Sequence, residues 1–203
     1  MNTRIDSNAT PMKNYTNPLQ AFFKLKTDFP QWFHSSSKTE ANSRPWPAGL
    51  EPAKASVFAH NETFIPLPPD QVFASLTDAT KWPTYYPNAS DVKLPDGKTR
   101  LEPGMQFTWS TFGAKQNTTV KEFEPGKALA WEADSPGTKA YHRWILEAAP
   151  GGTRLITEEV QKGPTAMLDQ LVMNPGLHAA HQLWLERLKQ TLAPNAAAGW
   201  VSR

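Results

Sequence analysis

The 203-residue chain contains no cysteine, which excludes disulfides, thiolate nucleophiles and Cys-ligated zinc or iron–sulfur centres. No apolar run approaches the roughly 18 residues that cross a bilayer as a helix. The opening MNTRIDSNATPMKN lacks an apolar core, so we expect no secretory leader and a cytoplasmic location. Without such a route, the Asn-x-Ser/Thr triplets at Asn8, Asn14, Asn61, Asn88 and Asn117 say little. A formal net charge of +2 is too small to argue for nucleic acid as a partner. Gly-rich phosphate loops, dinucleotide fingerprints, Gly-x-Ser-x-Gly elbows and His-Glu-x-x-His motifs are all missing, so no cofactor is expected. What is present is 39% hydrophobic and 11% aromatic residues, the composition of a globular chain. A chain of this length suits one domain and buries roughly 70% of its unfolded surface.

Composition shifts near residue 54. Residues 1–54 hold seven Lys and Arg against four Asp and Glu, so the slight basicity of the chain sits there. This extension is rich in Asn, Ser, Thr and Pro, a composition that orders itself poorly. Within it, Leu19, Phe22, Phe23, Phe29, Trp32 and Phe33 form an aromatic cluster. The spacing predicts a short helix over 18–27, capped by Asn17 with Pro18 in its first turn, and Pro30 stops it. The cluster fits a segment packed on the domain itself, on a second copy in a homodimer, or on a membrane surface.

From residue 55 the pattern becomes regular and predicts the main domain, 55–203. Val57–Ile65 reads as a strand closed by prolines. Two short helices follow, from Pro69 and after a capping Asp78. Strands are expected at Val92–Leu94, Gln106–Phe112, Asn117–Glu124, Ala128–Ala133, Tyr141–Ala148 and Arg154–Val160, separated by Pro-Gly and Asp-Gly turns. Close spacing of short strands means an antiparallel sheet. A helix over Thr165–Leu192 closes the chain, interrupted at Asn174-Pro175-Gly176. One helix on a strongly curved sheet cannot fill its concave face, so the expected α+β fold can hold a cavity.

The residues with chemistry lie on these elements. Trp109, Trp131 and Trp144 fall inside strands, beside Phe107; they either fill the core or wall a ligand chamber. Trp82, Tyr85 and Tyr86 lie where the short helices meet the first hairpin, a natural rim. Alternation places His142 on the same face as Trp144, where an imidazole can act as acid, base or hydrogen-bond donor. Of Glu158 and Glu159 one must face inward, and Ile156 and Val160 accompany Glu158 on the more apolar face. His178 and His181 are three apart, but no further ligand accompanies them and no metal is expected. Leu171, His181 and Leu185 are the terminal helix's candidates for a cavity wall.

Five stretches in order, FIPLPPDQVFASLTDATKWPTYYPNASDVKL, LEPGMQFTWSTFG, VKEFEPGKALAWEAD, YHRWILEAAPGGTRLITEEVQKGP and HAAHQLWLERLK, resemble the START-like ligand-binding superfamily. That superfamily is also called SRPBCC, or polyketide cyclase/dehydrase-like, and the resemblance runs from about Val57 to Leu192. It implies a helix-grip fold, a curved antiparallel sheet wrapped around a long C-terminal helix and a deep apolar cavity. Members bind lipids, sterols, polyketides or plant hormones, and some cyclise or dehydrate polyketides. The family pattern sets a glutamate four residues before the glycine that opens the last helix. Here that is Glu159 before Gly163, so both glutamates stay open. Ring-hydroxylating dioxygenases share the fold and need an iron triad of two histidines and a carboxylate, which no matching spacing supplies. The expected function is binding of a small, largely apolar molecule. The alternative is a cyclase or dehydratase using His142, Glu158 or Glu159, and Tyr86.

Overall fold

In the computed structural model, seven strands form one antiparallel sheet: β1 (Val57–Ile65), β2 (Ala89–Lys93), β3 (Gln106–Thr111), β4 (Ala114–Glu124), β5 (Ala128–Ser135), β6 (Thr138–Ala149) and β7 (Gly152–Lys162). Their order is β1-β7-β6-β5-β4-β3-β2, a run of hairpins with β1 returned to the far edge. Among the described residues five α-helices accompany them: α1 (Pro18–Asp28), α2 (Pro69–Thr77), α3 (Trp82–Tyr85), α4 (Pro164–Leu168) and α5 (Gln170–Leu192). The structure describes residues 18–135, 137–168 and 170–194, with side chains for 20–135, 137–166 and 173–194. The expected cap Asn17 and the Leu171 side chain lie outside those residues. The sheet is curved and α5 lies across its concave face, the helix-grip layout.

The ladders run further than the sequence pattern predicts. Phe112 and Gly113 both have positive φ, 49° and 71°. Such a two-residue turn matches the twist of the flanking strands, so pairing continues to Thr111↔Ala114 and β4 starts three residues early. β2 starts at Ala89, and its register shifts between Ser90 and Lys93 where Asp91 takes φ 51°. The predicted cap at Asp78 is not made; its carboxylate lies 2.8 Å from Lys81 Nζ instead. The predicted interruption at Asn174–Gly176 is also not made, since α5 runs through Pro175. A proline there removes one i→i−4 bond, and the turn is held from outside. Asn174 Oδ1 accepts the Phe58 N–H at 3.0 Å, and the Phe22 ring packs so closely on Gly176 that a Cβ would sit 2.8 Å from it.

The concave face of the sheet is buried, and so is the convex face where β1, β7, β6 and β5 meet the extension. On the concave side, Trp82, Trp109, Trp131, Trp144 and Trp184 are each no more than 4% exposed and join Leu129, Leu146, Leu185 and Leu188 in one core. Trp184 stacks on Tyr86 at 4.2 Å and meets Trp144 edge-on at 5.1 Å, geometries that add to area burial. On the convex side, Leu50, Ala55 and Trp46 cover Phe58, Ala130, Tyr141 and Val160. The aromatic segment packs on α5: Leu25 meets Ala179, Ala180 and Leu183, with Phe29, Trp32 and Phe33 alongside. The described part of the N-terminal extension therefore wraps its own domain on two sides.

Candidate functional site

A cavity of about 390 Å³ remains between the concave face and α5, within the range of small-molecule sites. Its walls are mostly aromatic and small aliphatic: Trp109, Trp131 and Ala133 from the middle strands, Ala140 from β6, and Leu177 and Trp184 from α5. Exposed Thr165 and half-buried Gln116, Ser135 and Thr138 line the end toward solvent. Phe22 of α1 and Phe112 of the β3–β4 turn also reach it. Phe112 is held in its left-handed conformation by Asn88, whose Oδ1 accepts its N–H at 2.8 Å. The same Asn88 donates from Nδ2 to the Tyr86 hydroxyl at 2.9 Å.

The polar groups of the cavity are concentrated. His142 pairs with Glu159 across β6 and β7, and His181 descends from α5. Glu159 Oε2 lies 3.1 Å from His142 Nδ1 and 3.4 Å from His181 Nε2. Its other oxygen accepts from Gln161 Nε2 at 2.6 Å. His142 Nε2 meets Thr157 Oγ1 at 2.8 Å. His142, Glu159 and His181 are 3%, 8% and 2% exposed. The sequence did not predict this assembly of two imidazoles and a carboxylate. Its members come from three elements, and His178, the partner that spacing suggested for His181, points elsewhere, to Ser36 Oγ at 2.9 Å.

Burial and the neighbouring His181 push His142 down to about 4 despite the Glu159 carboxylate, so the ring is neutral at pH 7. Burial alone would raise Glu159, but hydrogen bonds from His142 and His181 outweigh it and hold the carboxyl ionised. Burial and the charges of His34, His181 and His60 push His178 down to about 3. His142 and His178 have folded values below the ordinary 6.5, so the unfolded chain takes up protons first as pH falls. Stability therefore declines from about pH 6.5 toward pH 4. His60 has the opposite sign: burial lowers it, but Glu158 outweighs burial and raises it, so its contribution is complete below 6.5 and fades above. We expect urea unfolding at pH 5 to give a lower free energy than at pH 7, with His142 contributing about 2 kcal/mol of the difference. A flat or rising profile contradicts a buried neutral His142.

The candidate residues divide into three groups. Tyr86, Trp109, Trp131, His142, Glu159 and His181 line the cavity together. Trp82, Tyr85, Phe107, Trp144 and Leu185 lie in or against the packed core behind it, so the rim expected at Trp82–Tyr86 is interior. Glu158 is on the opposite face, where periodicity had not placed it. It is fully buried against Arg143, whose Nη2 is 2.7 Å from Glu158 Oε2. His60 Nδ1, at 2.7 Å, and the Asn42 N–H, at 2.6 Å, share its other oxygen. Thr157 and Gln161, which orient His142 and Glu159, were not singled out in the sequence. Their two-residue spacing from Glu159 on one strand face was the available signal.

Residues 58–193 match the family described as polyketide cyclase / dehydrase and lipid transport. The chain belongs to that family. Its superfamily is the START-like, or SRPBCC, group that the five stretches resemble. A crystal structure of the hypothetical protein jhp0584 from Helicobacter pylori is 28% identical, with a TM-score of 0.69 over 75% of this chain and 97% of that one. Protein MLL2253 from Mesorhizobium loti is 20% identical with a TM-score of 0.55, over 68% of this chain and 98% of that one. The di-domain ARO/CYC BexL from the BE-7585A biosynthetic pathway is 18% identical with a TM-score of 0.53, over 67% of this chain and 50% of that one. The last two show the fold alone. No curated protein matches the chain. Among the described residues, no helix of this family member is long and apolar enough to cross a membrane.

Proposed function

We propose that the protein binds a small, largely apolar molecule between sheet and α5, with a polar end of the guest against Glu159, His142 and His181. The observation that carries this reading is the cavity itself, about 390 Å³ with aromatic walls and its titratable groups gathered in one place. A guest burying ten methylenes there gains about 8 kcal/mol before the costs of association.

A second reading, cyclisation or dehydration of a poly-carbonyl compound, is favoured by the same cluster. Glu159 as an ionised base can take a proton from a carbon between carbonyls, and the walls hold the chain folded. The family description and the ARO/CYC neighbour are in keeping with it. Glu158 has no part in this chemistry, being on the other side of the sheet.

Native mass spectrometry of the protein purified from its own host tests the proposal. The expected result is a non-covalent adduct of one small organic molecule, released by organic solvent. A bare chain contradicts the binding reading. Returning the released molecule separates the two readings: recovery unchanged supports a carrier, and a new mass that Glu159→Gln abolishes supports an enzyme.

A further inference from the structure

The interior holds two buried glutamates in opposite electrostatic situations. Glu158 has a guanidinium against it, Arg143 Nε at 2.9 Å and Nη2 at 2.7 Å. Glu159 faces the cavity, and among the described residues no lysine or arginine lines it. Its neighbours are two imidazoles, one of which keeps a buried ring nitrogen, His181 Nδ1, without a hydrogen-bond partner. Buried charges in proteins are paired with an opposite charge or bound to a metal.

We propose that His142 Nδ1, Glu159 Oε2 and His181 Nε2 form a binding site for one divalent first-row transition-metal ion, with its open positions directed into the cavity. The three atoms lie within 4.8 Å of one another, and the 3.1 and 3.4 Å separations from the shared oxygen suit ligands held about 2.0–2.2 Å from a common ion. Two imidazole nitrogens and a carboxylate oxygen select zinc, cobalt or iron over magnesium or calcium. The surroundings already hold two of the three ligands, His142 and Glu159, in place. With its proton on Nε2, His142 donates a hydrogen bond to Thr157 Oγ1 and leaves Nδ1 free to ligate the ion in place of its contact with Glu159, and Gln161 fixes the second Glu159 oxygen. Metal-ligating histidines commonly have such an outer partner. Three protein ligands leave room for a fourth donor from the cavity, whose lining includes Trp131 and Ala140. An oxygen of the guest would occupy it, so this inference deepens the binding reading without requiring it.

The test is titration of the chelator-stripped full chain with Co²⁺, read by visible d–d absorption, and with Zn²⁺ by calorimetry. One equivalent should bind, with intense tetrahedral or five-coordinate bands. Glu159→Gln and His181→Gln should each weaken it about hundredfold or more. His178→Gln should leave it unchanged; that residue belongs to a separate imidazole pair, with His34 and His178 ring centres 4.0 Å apart. Absence of binding overturns the site, as does binding that survives Glu159→Gln or disappears in His178→Gln. A neutral apolar probe, N-phenyl-1-naphthylamine, added to the stripped protein and to Glu159→Gln keeps the two claims apart. Probe uptake without metal uptake defeats the metal site alone, and metal uptake without probe uptake defeats the cavity reading alone.

Discussion

Arg143→Met should lower the unfolding free energy by about 3–5 kcal/mol, the usual cost of removing one member of a buried ion pair. Arg143 and Glu158 are 1% and 0% exposed, so the deletion leaves a carboxylate in the interior with only His60 and the Asn42 N–H to satisfy it. The guanidinium also holds the extension in place. It donates to the carbonyls of Arg44 at 3.0 Å, Pro45 at 3.1 Å and Asn42 at 3.3 Å, and stacks 3.6 Å above the Trp46 ring. Each of those carbonyls loses a charge-assisted partner in the variant. Residues 41–55 should therefore become the first site of proteolytic cleavage. The double variant Arg143→Met, Glu158→Leu should recover much of the loss, because no lone charge remains. Urea unfolding with limited proteolysis reads both effects. A change below about 1 kcal/mol, with cleavage unaltered, would mean that the strap of residues 41–55 is held without Arg143, by Leu50 and Trp46 on the sheet and by Arg44 paired with Glu122 and Glu124.

That strap explains where sequence reasoning stopped. The succession of elements along the chain, most turn positions, the two short helices and the terminal helix are legible because Pro-Gly turns and period-two runs are local signals. Face assignment by alternation assumes one dry face and one wet face. Here Ile156, Glu158 and Val160 lie on a convex face covered by the extension, so the more apolar side was not the cavity side. The family pattern, which marked Glu159, carried information that periodicity lacked. His142, Glu159 and His181 meet only through the β6–β7 register and the docking of α5, and neither is written in residue spacing. Pro175 does not break α5 for a related reason: what keeps the helix continuous there is Asn174 bound to β1 and Phe22 on Gly176, contacts from distant parts of the chain.

The space between sheet and helix should admit a guest. Ala133 and Ala140 are cross-strand partners on β5 and β6, both lining the cavity and both small where their neighbours are large. Phenylalanine at the two positions places rings directly in the void, in strand residues whose backbone is unchanged, so the added apolar surface has somewhere to go without displacing the tryptophan core. The direct measurement is a fluorescence titration with N-phenyl-1-naphthylamine of the wild-type chain and of Ala133→Phe, Ala140→Phe, with urea midpoints confirming that both are folded. The wild-type protein should bind one probe with micromolar affinity, and the double variant should bind it about a hundredfold more weakly, roughly 2.7 kcal/mol. Equal affinity in the two folded proteins would place the probe elsewhere and contradict the cavity as the binding site.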